Sequence, residues 1–478
     1  MSFQKQATKG VVWTFTQQFG NQIIGFVVSL VLARILLPEE FGLIGMIAVF
    51  ISIGQSLVHS GLTQSLIRTK ELDQQDYSTV FFFNIIASII AYLIVYVSAP
   101  YIAEFYDQEI LQSIARLYGL VFIINSLSAV QLSKYSREMN FKTPAIAAVP
   151  ANLIGGIVGI FLAYSDYGVW SIVWSQLINA FFNSLFIWLY SDWRPSMVFN
   201  FEKFKKHLNF GYKLTLTGLL DTFFRNSYLI IIGKIFSPAQ VGYYTRAETL
   251  KQLPVVNISS ALNSVTYPMF ASIQNDDIKM KRVYKELMQI VLAIISPILI
   301  FLAVLAEPTF VFLFTDKWLP AVPYFQILCV TGILFPIHAY NLNILKVKGR
   351  TDLILKLEFL KKTVIVITIL ISVQFGILAL LYGQIFTSIV AFIINSYYTG
   401  KFIDYDVWEQ TGDVIPILLI ASAGGLAVYF LDNFFLQSFS NILRIILGGC
   451  FGILVYLGFI YKFKTSLIVR FKSIISNK

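Results

Sequence analysis

Apolar residues are gathered into about fourteen runs of roughly twenty residues each, separated by short polar stretches. A run of about 20 apolar residues is the length that an α-helix needs to cross the hydrocarbon core of a bilayer. The pattern therefore predicts an all-α, polytopic membrane protein with about fourteen transmembrane helices. The predicted spans are 10–33, 42–66, 79–100, 110–130, 144–164, 168–190, 210–234, 247–271, 286–306, 320–345, 355–373, 377–398, 414–431 and 440–461.

Lysine and arginine fall mainly in alternate loops. Of the 36 basic residues, 27 lie on the side that holds the N-terminus, four on the other side, and five inside spans or at their ends. Cytoplasmic loops of membrane proteins carry an excess of positive charge. We therefore predict that both termini are cytoplasmic, which requires an even number of spans.

Composition agrees with a membrane protein and excludes several other classes. The chain is 57% hydrophobic and 13% charged, whereas soluble domains carry about 25% charged residues. The net charge of +10 resides in the loops, so it indicates topology and not nucleic-acid binding. Both cysteines lie in apolar runs, the three histidines lack zinc-type spacing, and no phosphate-binding loop is present. We expect no metal, no cofactor and no enzymatic activity.

An internal repeat divides the chain. The segment Arg34–Gly42 aligns with Lys234–Gly242 at an offset of 200, and the turns at Tyr167-Gly168 and Phe375-Gly376 align at an offset of 208. Spans one to six and seven to twelve are therefore predicted to form two pseudo-symmetric lobes, as in transporters whose substrate site lies between repeats. The predicted divisions are an N-lobe over 1–200, a C-lobe over 201–405, and a C-terminal helix pair with a basic tail over 406–478.

Two charged residues lie in the middle of the seventh span. Asp221 and Arg225 are four residues apart, so on a helix they share one face. An ionisable group at membrane depth costs at least ~2.5 kcal/mol and usually faces a partner or a water-filled cavity. We favour a cavity between the lobes, with interhelical hydrogen bonding as the alternative. The equivalent polar face of the first span is formed by Thr14, Gln18, Asn21, Gln22 and Gly25.

Arg225 is the strongest candidate for binding an anion, because its planar guanidinium matches phosphate oxygens and stays charged. A simple ion pair with Asp221 is the alternative. Asp221 is also a candidate for taking up a coupling proton or sodium ion. Arg116, in the fourth span, either lines the cavity or extends toward the membrane surface.

The order of these features resembles a known family. The opening KGVVWTFTQQFGNQIIGFVVSLVLARILLPEEFGLIGM is similar to the first two spans of bacterial polysaccharide-repeat-unit flippases of the Wzx type. These belong to the multidrug/oligosaccharidyl-lipid/polysaccharide (MOP) exporter superfamily. Further similar stretches are Tyr135–Lys142, Phe236–Arg246 and Lys348–Asp352. The resemblance covers the whole chain.

The resemblance implies a MATE-like pair of lobes in the bacterial cytoplasmic (inner) membrane. The substrate would be an oligosaccharide on an undecaprenyl diphosphate carrier, flipped by alternating access for surface polysaccharide biosynthesis. Arg225, and less directly Arg116, would contact the diphosphate, and spans thirteen and fourteen would form a groove for the lipid tail. A polysaccharide polymerase and other assembly proteins are possible partners in that pathway.

Three other functions stay open at this point. A multidrug or cation antiporter of the same superfamily would favour an acid-rich cavity. A membrane-embedded glycan polymerase or ligase would need a large outer loop with catalytic arginine and histidine residues. Flipping of a peptidoglycan precursor shares the same chemistry.

Overall fold

Helices follow one another along the chain, and no residue of the described ranges lies in a β-strand. The computed structural model describes residues 20–59 and 61–463, without the side chains of 59 and 261–265. These residues pack as two units, one ending at Gly242 and one beginning at Tyr243. The helices of the first unit are α1 (Gly20–Ile35), α2 (Pro38–His59), α3 (Leu62–Arg68), α4 (Gln74–Tyr106), α5 (Ile110–Tyr118), α6 (Val121–Arg137), α7 (Lys142–Tyr164), α8 (Val169–Tyr190), α9 (Phe201–Arg225) and α10 (Ser227–Ile235).

Helix α11 (Pro238–Ser272) begins at the end of the first unit, and most of it belongs to the second. The other helices of the second unit are α12 (Asp277–Val304), α13 (Ala306–Phe314), α14 (Val322–Val347), α15 (Thr351–Ser372), α16 (Ile377–Ile403), α17 (Val407–Leu431) and α18 (Asn441–Phe463). Helix α9 contacts α2, α3 and α4 of the first unit. The lobe boundaries at 200 and 405 stay a prediction.

Within the described residues, each predicted span falls on a helix or a pair of helices. Ten helical segments of the described chain are long and apolar enough to cross a membrane, which confirms an all-α, multi-pass membrane protein. The other four predicted spans fall in α1, of which only Gly20–Ile35 is described, in α9 with α10, in α11 and in α15. Polar or charged residues interrupt the last three. The number fourteen therefore stays a prediction.

The internal repeat is visible in the local structure. Helices α1 and α10 end 200 residues apart, and α2 and α11 begin 200 residues apart, each at a proline. Just before these prolines, the Leu37 N–H donates to the Glu40 carboxylate at 2.6 Å, and the Ser237 N–H donates to the Gln240 side-chain oxygen at 3.2 Å. The equivalent positions therefore form the same helix start.

These two equivalent helix starts, both within the first unit, also touch one another through glycines. A Cβ on Gly42 would lie 1.8 Å from the Pro238 carbonyl oxygen, and a Cβ on Gly242 would lie 2.0 Å from the Pro38 carbonyl oxygen. Neither distance leaves room for a side chain. The start of α2 and the start of α11 therefore meet backbone to backbone, in a contact that only glycine permits.

In the second unit, α17 and α18 pack on α12 and α13 around Phe301, Leu305 and Tyr456. A Cβ on Gly452 would lie 2.6 Å from Val428, and a Cβ on Gly425 would lie 2.5 Å from Ile300. Small residues thus let these helices approach closely, as their spacing in the sequence indicates.

Candidate functional site

The predicted anion site lies at the C-terminal end of α9. This helix is continuous up to Arg225 and ends at Asn226, whose side-chain amide donates to the Thr222 carbonyl oxygen at 2.8 Å. An asparagine side chain that bonds to the carbonyl oxygen four residues before it competes with helix continuation, and α10 begins as a separate helix at Ser227. Arg225 therefore occupies the last helical position, where the helix dipole favours a cation.

Asp221 and Arg225 form an ion pair, as their spacing predicts. The Arg225 Nη2 donates to Asp221 Oδ2 at 2.5 Å. The arginine side chain is 76% exposed and the aspartate side chain is 56% exposed. Since the pair uses one hydrogen bond, the guanidinium keeps further N–H donors for a ligand.

Contacts on the same helix hold α9 against other helices of the first unit. The Thr222 hydroxyl lies 2.9 Å from the Ser56 hydroxyl of α2. About three turns before it, Gly211 meets Gly61 so closely that a Cβ on either would lie within 2.7 Å of the other's backbone. The exposed ion pair thus stands on a helix whose adjoining residues are fixed by packing.

The polar face predicted on the first span behaves differently. The Asn21 side-chain oxygen accepts from Asn152 Nδ2 of α7 at 3.1 Å, and Asn152 in turn accepts from Asn179 of α8 at 2.7 Å. Asn21 therefore takes part in interhelical hydrogen bonding, the alternative considered for this face. Gln22 is half-buried, and Gly25 faces open space. Gln18 lies outside the described residues.

Arg116 contacts the neighbouring helix. It lies in the last turn of α5, with its guanidinium carbon 4.5 Å from the centre of the Tyr96 ring of α4 and its Nε 3.5 Å from the Tyr96 carbonyl oxygen. Helix α4 also carries the exposed apolar residues Ile89, Leu93 and Val97. This stacking favours extension along an apolar surface over cavity lining.

A buried charged cluster where α3, α4 and α9 meet was not predicted. The two nitrogens of the fully buried His207 lie 2.8 Å from Ser65 Oγ and 3.0 Å from Asp76 Oδ1. Lys203 contacts Asp76 at 3.0 Å and also Asp73, which caps α4. The only local sequence signals are the spacings of Lys203 with His207 and of Asp73 with Asp76.

This cluster changes the acidity of its titratable members, all of which lie outside the predicted spans. The hydrogen bond from Lys203 holds the pKa of Asp73 well below its usual range. Burial alone would lower the pKa of Lys203, but hydrogen bonds to Asp73 and Asp76 outweigh it and raise that pKa. Burial lowers the pKa of His207 despite the hydrogen bond to Asp76. The imidazole is therefore neutral at neutral pH.

The second unit has a comparable cluster between α12 and α17. Lys285 contacts Asp413 at 2.8 Å and Lys281 contacts Glu409 at 2.6 Å, while the Tyr405 hydroxyl donates to Asp413 at 2.7 Å. Asp406 caps α17 by accepting from the Glu409 N–H at 2.7 Å. Tyr405 and Asp406 thus serve helix packing and helix capping.

An apolar groove of about 390 Å³ opens between α18 and the pair α12 and α13. Pro297, Phe301 and Tyr456 lie along it, and Gly449 leaves it open because a Cβ there would meet no atom within 4 Å. Apart from Thr309 and the Tyr456 hydroxyl, the side chains that line it are apolar.

Comparisons with known proteins agree with this architecture. The protein family described as "Polysaccharide biosynthesis protein" matches residues 31–323. The teichuronic acid biosynthesis protein TuaB of Bacillus subtilis (strain 168) is 24% identical over 432 residues, 90% of this chain and 89% of TuaB. The lipopolysaccharide biosynthesis protein WzxC of Escherichia coli (strain K12) is 23% identical, covering 83% and 81%. The succinoglycan biosynthesis transport protein ExoT of Rhizobium meliloti (strain 1021) is 23% identical, covering 70% and 68%.

Two solved structures share the fold. The lipid II flippase MurJ in an inward closed conformation has a TM-score of 0.75 at 15% identity, covering 96% of this chain and all of MurJ. An inward-facing multidrug resistance MATE family transporter of the MOP superfamily has a TM-score of 0.60 at 19% identity, covering 80% and 96%. At these identities the likeness concerns the fold alone.

Proposed function

The chain belongs to the polysaccharide biosynthesis protein family, and from that membership we propose that it is a flippase for lipid-linked oligosaccharide repeat units. The substrate would be an oligosaccharide on undecaprenyl diphosphate, moved across the bacterial cytoplasmic membrane by alternating access, with both termini of the chain in the cytoplasm. Relatives named for teichuronic acid, lipopolysaccharide and succinoglycan biosynthesis support a surface polysaccharide as the product.

The exposed ion pair at the end of α9 is the observation on which this proposal depends. Moving a diphosphate through hydrocarbon requires a replacement for its hydration, and a guanidinium offers paired N–H donors to phosphate oxygens. Arg225 is 76% exposed and is bonded to Asp221 through one nitrogen only. A diphosphate can therefore contact Arg225 without displacing packed side chains.

The groove beside α18 supplies a site for the other part of the substrate. An undecaprenyl tail is apolar and stays in the membrane while the sugar crosses. The groove between α18 and α12 with α13 is lined almost wholly by apolar side chains such as Ile294 and Ile453. We propose that it holds the first isoprene units of the tail.

A second function within the superfamily is less well supported. A cation antiporter would require an unpaired acid for its substrate, but Asp221 is bonded to Arg225 at 2.5 Å. We also propose that Asp221 takes up the coupling ion. Binding of that ion would have to break the pair with Arg225.

The test is transport of a fluorescent undecaprenyl-diphosphate oligosaccharide in proteoliposomes, measured as the fraction protected from a membrane-impermeant quencher. Arg225→Ala should reduce the initial rate by about 10- to 100-fold, because a hydrogen bond to a charged group contributes about 1.5–3 kcal/mol. Lys213→Ala is the matched control, since Lys213 is an exposed cation three turns earlier on α9. Equal rates for Arg225→Ala and Lys213→Ala would refute diphosphate binding by Arg225, and no transport by the unsubstituted chain would refute the function.

A further inference from the structure

The cluster around His207 lies on the surface by which α9 packs against α3 and α4. His207 is fully buried, and its two ring nitrogens contact one residue from each neighbouring helix, Ser65 of α3 and Asp76 of α4. We propose that His207, with Asp76 and Ser65, is a proton-binding site, and that binding of a proton there releases α9 from α3 and α4. Its use in transport rests on the proposed function, but the proton site itself does not.

The hydrogen bonds define the state with no added proton. With a neutral ring, Nε2–H donates to the Asp76 carboxylate and Nδ1 accepts from the Ser65 hydroxyl. A proton added to Nδ1 would turn that nitrogen into a donor facing the hydroxyl proton of Ser65. The Ser65 hydroxyl would then have to rotate, and a charged imidazolium would be buried between three helices.

The charges around the ring make it able to accept a proton. Asp73, Asp76 and Lys203 together carry a formal charge of −1, which a proton on His207 would neutralise. Lys206 of α9 and Lys203 itself oppose a proton on the ring. Arg68 at the end of α3, whose guanidinium lies over Phe210 of α9, is a further cation on the packed surface. Asp73 is 59% exposed and Lys203 is 22% exposed, so water reaches the edge of the cluster.

The direction of the pH effect follows from burial. Because burial lowers the pKa of His207 in the packed arrangement, a proton binds better when α9 has moved away and the ring is hydrated. The packed arrangement is therefore fully favoured above the ordinary histidine pKa of about 6.5. This preference is lost progressively as the pH falls below that value toward the lowered pKa.

Helix α9 connects this site to the proposed diphosphate contact. His207 and Arg225 lie on one continuous helix, about 27 Å apart along its axis at 1.5 Å per residue. Between them, Gly211 contacts Gly61, the residue before α3, and Thr222 contacts Ser56 of α2. A helix that moves as one piece would transmit the loss of the His207 contacts to the end that carries Arg225.

Disulfide formation between α2 and α9 tests the proposal without any substrate. In a chain with Cys329 and Cys450 replaced by alanine, Ser56→Cys with Thr222→Cys places two thiols where hydroxyls lie 2.9 Å apart. Ser88→Cys with Ser126→Cys, from hydroxyls 3.0 Å apart on α4 and α6, is the control for the pH dependence of thiol oxidation. Between pH 7.5 and 5.5 the rate for the α2–α9 pair should fall at least threefold more than the control rate.

His207→Gln keeps a donor and an acceptor but cannot take up a proton, so it should abolish this excess pH dependence. Parallel pH profiles for the two cysteine pairs would overturn the proposal, and so would an excess that persists in His207→Gln. If His207→Gln does not fold, the comparison of the two pairs still decides. If the cysteine pairs respond as expected but the chain transports no lipid-linked sugar, the proton site stands and the proposed function is refuted.

Discussion

Two arginine–aspartate pairs in the second unit have the same geometry and different burial. Arg444 of α18 donates to both carboxylate oxygens of Asp432 at 2.8 and 2.7 Å, and the side chains are 12% and 7% exposed. Arg350 donates to both oxygens of Asp352 at 3.0 and 2.9 Å, with side chains 42% and 52% exposed. The pairs therefore separate the effect of burial from the effect of hydrogen-bond geometry.

Removing the arginine should affect stability very differently at the two positions. Arg444→Gln leaves the Asp432 carboxylate buried without a counter-charge, which costs about 3–5 kcal/mol. Arg350→Gln breaks an exposed pair, whose contribution is about 0–1 kcal/mol. Replacing both Arg444 and Asp432 by leucine should recover most of the loss, because no buried charge then remains.

Thermal unfolding in detergent provides the measurement. A thiol-reactive fluorophore reports exposure of Cys329, which is 1% exposed in the folded chain, after Cys450 is replaced by alanine. Arg444→Gln should lower the midpoint clearly more than Arg350→Gln does. Equal shifts for the two single variants would refute the reasoning from burial, and a leucine pair as unstable as Arg444→Gln would refute the role of the unpaired carboxylate.

Two further predictions concern glycines. Gly449→Phe should fill the groove beside α18 and reduce transport at least tenfold with unchanged folding. Gly458→Phe, on the opposite face of α18, should not reduce transport. Equal transport by both variants would exclude the groove as a lipid site. Gly42→Ala and Gly242→Ala should each lower the unfolding midpoint, because their Cβ atoms would lie 1.8 and 2.0 Å from proline carbonyl oxygens, at a cost of about 1–3 kcal/mol or more. Gly412→Ala, with no atom within 4 Å, is the neutral control, and a midpoint equal to it would contradict the close contact.

The helices and the repeat were predictable because they depend on local requirements. A chain in lipid must satisfy its backbone hydrogen bonds within each helix, so the length of an apolar run fixes the element. The similar starts of α2 and α11 follow from a repeated proline and glycine. These are Pro38 and Gly42 in α2, and Pro238 and Gly242 in α11. The break at Asn226 was not predicted, since the apolar run continues on both sides of it.

The partners of polar residues were not predictable, because they come from distant parts of the chain. His207 is bonded to a residue 131 positions away, Lys203 to one 127 positions away, and Asn21 to one 131 positions away. The hydrophobic pattern places each of these side chains on a helix face but does not say which helix it meets. Asp221 and Arg225 could be paired from the sequence because their partner is four residues away.

The contrast between the two ends of α9 explains why its charges are best interpreted as two different sites. Lys203 and His207 have counter-groups in packed surroundings, so their burial is compensated and they hold the helix in place. Among the described residues, Arg225 and Asp221 bond only to each other, and both are largely exposed. In a membrane protein such exposure is inexpensive only in contact with water, since a charged side chain in hydrocarbon costs about 2.5–3.5 kcal/mol. We therefore propose that the end of α9 faces water, as contact with a diphosphate would require.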